Sequence, residues 1–149
     1  MIINLKQAAP FVPLIAQWHQ DEWAHLNPGE SLAGRIERMQ RYLNEDDLPQ
    51  MWVKFVAGHP VATAALVDND LPESTSRTPW LASVYTEAGN RGRGYAGELV
   101  NHVYQQALAL GYQHLWLYTP DAAPLYERHG WQVIADHQVY GEAVTIMCR

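Results

Sequence analysis

Cysteine is nearly absent from this sequence. Among 149 residues only Cys148 carries a thiol, so no intrachain disulfide can form and no cysteine cluster can hold zinc. Nor is there an uninterrupted apolar run of about 18 residues, the length that a membrane span requires. The first residues, MIINLKQAAPF, lack a basic stretch followed by a long apolar one. These absences lead us to expect a soluble, non-exported chain in a reducing cytoplasm, with no membrane partner and no metal. Cations are scarce too. Lys and Arg number 10 against 16 Asp and Glu, a formal charge of −6, and nucleic-acid affinity is built from many basic side chains. The negative field favours a cationic acceptor, although charge on this scale also serves ordinary solubility.

Apolar residues make up 48% of the chain and charged residues 17%, the balance of a globular protein able to bury a core without staples. A single domain over 1–149 is expected. A short strand over 2–5 leads into a helix over 11–25, with Phe11, Leu14, Ile15 and Trp18 at helical spacing. Ser31 suits the N-cap of a second helix carrying Leu32, Ile36, Met39 and Leu43. β-Prone runs over 51–57 and 60–67 flank Gly58-His59, a two-residue hairpin link. A polar loop over 68–79, including Ser74 and Thr75, precedes a strand over 80–86. A glycine-rich turn then opens a helix with Ala96, Leu99, Val100, Val103, Ala107 and Leu110 on one stripe, closed by Gly111. A strand over 114–118, a short helix over 121–128 and strands over 131–135 and 143–147, turning at Gly141, complete the order. The pattern predicts an α+β, or mixed α/β, fold with a central mixed sheet of six to seven strands and helices on both faces. It does not alternate strand and helix from the start, as a doubly wound nucleotide fold would.

The turn Arg91-Gly92-Arg93-Gly94-Tyr95-Ala96 lies between a strand and a helix, where backbone N–H groups converge on an anion at the positive helix end. Phosphate or pyrophosphate is the expected guest. No Gly-Lys-Ser or Gly-Lys-Thr ending makes it a Walker A loop. Gly92, Gly94 and Gly97 do spell the dinucleotide string, but after the fourth strand, and position 117 is Leu where an acidic residue belongs. A single embedded segment does not suit an RNA contact. A tight turn whose glycines serve geometry alone stays open.

The same residues resemble the signature of the GNAT acetyltransferase superfamily: Arg or Gln, two residues, Gly, one residue, then Gly or Ala. Arg91, Gly94 and Ala96 fill those places. A second stretch, Leu125-Tyr126-Glu127-Arg128-His129-Gly130-Trp131, is similar to the family's Leu-Tyr-Glu-Lys-x-Gly-Phe, and the resemblance covers the chain from Trp80 onward. It implies acetyl-CoA as co-substrate and an amine, on a small molecule or peptide, as acceptor. Val84, Tyr85 and Thr86 would meet the pantetheine arm. Gly92, Arg93, Gly94, Tyr95, Ala96 and Gly97 would hold the pyrophosphate, with Arg91 adding charge. Thr119 stands where many relatives have an Asn on the cofactor arm, and it could instead cap the following helix. Tyr126 is implied as general acid, because direct attack on a thioester expels a thiolate that a protonated phenol can meet. The competing reading of Tyr126 is an aromatic packed into the sheet.

The base is missing from the place where several relatives carry Glu, since positions 79–83 offer no carboxylate. Candidates are Asp68, Asp70, Glu73, Glu87, or a water chain ending at Ser83 or Tyr85. Trp18, His19, Asp21, Glu22, Trp23 and His25, joined by Trp52 and Trp80, could surround a cationic amine, or the tryptophans could be core. Two other functions compete: an acyl-CoA-binding or regulatory module without turnover, and a nucleotide-binding protein. A homodimer is permitted and not required.

Overall fold

Tight turns make antiparallel neighbours, whereas parallel neighbours need a crossover, and this chain uses both. The computed structural model describes residues 1–73 and 76–149, so Ser74 and Thr75 of the polar loop lie outside the described residues. Strands β1 (Ile2–Asn4), β2 (Gln50–Val56), β3 (His59–Val67), β4 (Trp80–Thr86), β5 (Trp116–Thr119), β6 (Gln132–Val139) and β7 (Glu142–Cys148) form one sheet. Their order is β1-β2-β3-β4-β5-β7-β6. The β4–β5 pair is parallel and the other neighbours are antiparallel. Helices α1 (Val12–Trp23) and α2 (Leu32–Met39) precede β2, α3 (Tyr95–Ala109) makes the β4–β5 crossover, and α4 (Ala123–Arg128) follows β5. The expected mixed sheet is therefore present, with seven strands.

Alternation along β2 divides the core. Met51 and Val53 pack with Val12, Ile15 and Met39 on the α1–α2 side, whereas Trp52 joins Leu99, Val103, Leu117 and Tyr126 on the other. Each aliphatic side chain buried this way contributes about 1.5–3 kcal/mol. Ser31 caps α2 as expected, its Oγ accepting the Gly34 N–H at 3.0 Å. Gly111 follows α3 at φ 96°, the left-handed value that ends a helix cleanly. No described helix is long and apolar enough to cross a membrane.

Three local expectations are corrected. The β2–β3 turn is Ala57-Gly58, at φ 51° and 79°, and not Gly58-His59, because His59 already pairs with Val56. Two positive φ values make the turn whose twist matches the strands. The buried stripe of α1 is Val12, Ile15, Ala16 and His19, while Leu14 is 44% exposed; a histidine belongs to the inner face. Finally, β5 begins at Trp116 and α4 at Ala123. Leu115 exchanges backbone hydrogen bonds with Arg149, and the Thr119 hydroxyl holds the turn before α4 by accepting the Ala122 N–H at 3.0 Å.

Candidate active site

β4 and β5 share one registered pair, Trp80 with Trp116, and beyond it they part. The cause lies on the other side of β4. Between Thr63↔Tyr85 and Ala65↔Ala82 the ladder slips, so Ser83 and Val84 together stand opposite Ala64, as in a β-bulge. Ser83 adopts φ 53°, a left-handed conformation that costs a non-glycine residue about 1–2 kcal/mol. The buried Thr63 hydroxyl donates to the Ser83 carbonyl at 2.9 Å, and His19 Nε2 lies 3.0 Å from the same Thr63 Oγ1.

Where the strands separate, a cleft of about 550 Å³ opens, within the range of roughly 300–1,000 Å³ common for small-molecule sites. Leu81, Ala82, Ser83, Val84 and Leu117 line it along the sheet. His19, Glu22, Trp23 and His25 line it from α1 and the turn beyond, with Arg41 and Tyr42 after α2. Thr119, Tyr126 and Asp70 line it as well.

One short 3-10 turn, Ala88–Asn90, separates β4 from the glycine-rich turn. Gly94 sits at φ 82° as the N-cap of α3 and offers no side-chain acceptor. Among the described residues, no acceptor meets the N–H groups of Gly94, Tyr95, Ala96 and Gly97. A Cβ at Gly92 or Gly94 would touch nothing within 4 Å, so glycine is required there by the positive φ and not by crowding. The outcome is a run of unpaired donors at the positive end of a 15-residue helix, which fits a pyrophosphate. Arg91 folds back: its Nε donates to the Thr86 carbonyl at 3.0 Å, and its guanidinium lies 5.7 Å from the centre of the Tyr85 ring. Arg93 is exposed at the turn.

Tyr126 is buried at the cleft with its ring edge-on to Trp131, centroids 5.9 Å apart. Burial, aided by the charge of Asp121, pushes its phenol up to about 12, so it stays protonated at neutral pH. Thr119 is buried beside it and already accepts from Ala122, which leaves its hydroxyl proton available.

The carboxylates separate clearly by position. Asp68 is exposed and accepts from Thr78 at 3.1 Å, Glu73 is paired with His137, and Glu87 binds Gly89 and Asn90 within the turn. Asp70 alone of the acidic candidates lines the cleft. Desolvation pushes its carboxyl up to about 7, against the opposing pull of Arg41. Ser83 also lines the cleft, whereas Tyr85 is packed against Trp18, Trp23 and His19.

Trp52 and Trp80 are core residues, buried in opposite layers, and do not face the cleft. Asp21 does not line it either; it accepts from Gln17 at 2.7 Å. Thr63, Tyr118, Tyr140 and Glu142 were not anticipated at the site. The last three line the cleft, and burial together with Asp70, Tyr140 and Glu142 raises the Tyr118 phenol above its ordinary value. Thr63 lies inside a run that the sequence marks only as β-prone, and its hydroxyl gains a purpose only where β4 bulges beside it.

The chain matches the acetyltransferase (GNAT) family over residues 12–131. A comparison with curated proteins finds no match. Among solved structures it resembles an aminoglycoside 6'-N-acetyltransferase complexed with coenzyme A, at 13% identity and a TM-score of 0.77, covering 100% of this chain and 96% of that one. A ribosomal-protein-alanine N-acetyltransferase from Brucella melitensis gives 17% and 0.76, with 100% and 98% covered. An N-acetylglutamate synthase from Neisseria gonorrhoeae, complexed with coenzyme A and N-acetyl-glutamate, gives 15% and 0.72 over 100% of this chain and 35% of that one. At these identities the likeness is one of fold, while the family match spans the glycine turn, Tyr126 and the cleft residues from α1 through α4. The chain belongs to the GNAT family of acetyltransferases, and acetyl-CoA is its acetyl donor.

Proposed function

We propose that this enzyme acetylates an amine of a small molecule or peptide by direct attack, with Tyr126 as general acid and Asp70 as the proton acceptor. Acetyl-CoA supplies a thioester, an activated acyl group whose sulfur departs as the amide bond forms. Val84, Tyr85 and Thr86 receive the pantetheine arm, and the turn from Gly92 through Gly97 receives the pyrophosphate. Asp70 takes the proton that the attacking amine must lose. Tyr126 donates its hydroxyl proton toward the departing sulfur and recovers one from solvent. A phenol held near 12 is a poor acid in water but a persistent donor, suited to a charge that appears only as the carbon–sulfur bond breaks. The single observation that carries the reading is that Tyr126, Asp70 and the bulged segment Ser83-Val84 line one cleft.

The low cysteine content and net negative charge favour the cytoplasm as its compartment and a cationic amine as its acceptor. Thiol release over a panel of amines tests the assignment. Activity with some amine, lost in Tyr126→Phe while CoA still binds, supports it; activity that survives the substitution overturns the role of Tyr126. If CoA binds and no amine releases thiol, the chain is an acyl-CoA-binding module.

A further inference from the structure

A hydroxyl has one proton to give, and Thr63 gives it to the Ser83 carbonyl, which can only accept. The 3.0 Å contact between Thr63 Oγ1 and His19 Nε2 must therefore use a proton on the ring. His19 thus carries a proton on Nε2, and its burial keeps the ring neutral. The relay runs one way, from the His19 N–H to the Thr63 oxygen and from the Thr63 O–H to the Ser83 carbonyl. Both donor side chains are buried, His19 at 2% and Thr63 at 0% exposure, so water does not replace either bond. The relay joins α1 to β4 at the one residue of β4 held in the left-handed region. Three residues later the strand is held again, by Arg91 on the Thr86 carbonyl.

We propose that His19 and Thr63 are positioning residues for acetyl-CoA binding: by satisfying the Ser83 carbonyl at the bulge they fix the direction of the Val84-Tyr85-Thr86 backbone. The inference rests on the reading above that this segment receives the pantetheine arm. Without the relay, the Ser83 carbonyl loses its partner on β3, and the segment that follows is no longer held in one direction. Neither side chain needs to touch a reacting atom for this to matter.

Thr63→Val keeps the shape and removes the hydroxyl, and Thr63→Ser restores it. The expected result is a KM for acetyl-CoA, and a Kd for free CoA by calorimetry, raised about tenfold or more in Thr63→Val, with kcat changed far less and Thr63→Ser close to the parent. A folded Thr63→Val that binds CoA as tightly as the parent overturns the relay. A parent protein that fails to bind CoA overturns instead the reading on which the inference rests. Nitrogen NMR of the intact protein needs no disruptive variant, His19→Gln serving only to assign the signal. A proton on Nε2 is expected, and a proton on Nδ1 would refute the relay even if Thr63→Val did not fold.

Discussion

Trp80 faces Trp116 across the sole registered contact between β4 and β5 among the described residues, their ring centroids 6.4 Å apart. Trp80 is fully buried and its indole N–H donates to the Arg77 carbonyl at 2.7 Å, so the pair is the hinge from which the cleft opens. Trp80→Ala should destabilise the protein by about 3–5 kcal/mol, the usual cost of deleting a buried tryptophan. Urea unfolding of the two proteins, compared at equal slope, measures it.

Tyr126→Phe removes one oxygen at the cleft and leaves the ring against Trp131. We expect kcat to fall about 10²–10⁴-fold, the usual share of a general acid, with the Kd for CoA unchanged. A phenol at about 12 also predicts no loss of rate from Tyr126 ionisation between pH 7 and 10. A pH–rate profile checks the second point independently of the variant.

Asp70 has opposite consequences for rate and for stability. As a base with a value of about 7, it should give a rate that rises with pH through that value, and Asp70→Asn should abolish the rise. A raised carboxyl value in the folded protein means that ionisation opposes folding. Its contribution is fully present below 3.8 and is lost as pH climbs through about 7. Asp70→Asn should therefore be more stable than the parent at pH 8, with the advantage vanishing at pH 4. Thermal melts at both values decide it.

His19 titrates in the other sense. Burial, with the charge of Arg35 beside it, lowers the ring from 6.5 to about 3, so over that window the unfolded chain binds a proton that the folded one refuses. Stability should fall as pH drops from 6.5 toward 3, and His19→Gln should flatten that limb. Denaturant midpoints at pH 4 and 7 give the slope.

Much of this molecule can be read from local chemistry. Ser31, Gly94 and Gly111 act within their own turn, and their roles follow from the residue types a few positions away. The hairpin between β2 and β3 shows the limit of such reading, since Ala57-Gly58 and Gly58-His59 both contain the glycine and only strand register separates them. Trp52 and Trp80 were drawn toward the acceptor by composition, but the alternation of their strands sends each into a core layer. The relay was out of reach for a different reason. His19 and Thr63 are 44 positions apart, Thr63 and Ser83 are 20, and what joins them is a bulge that no single stretch encodes. Asp70 stands out from Asp68 and Glu73 only because the loop folds inward at Asp70 and Leu71.

The parting of β4 and β5 leaves the sheet with two edges that face each other inside the molecule. An outer edge invites another chain, and proteins usually blunt it with charge, proline or brevity. Here β3 flanks β4 and β7 flanks β5, so both parted strands are already paired on their outer sides. Their inner sides alone are left unpaired, and those border the cleft.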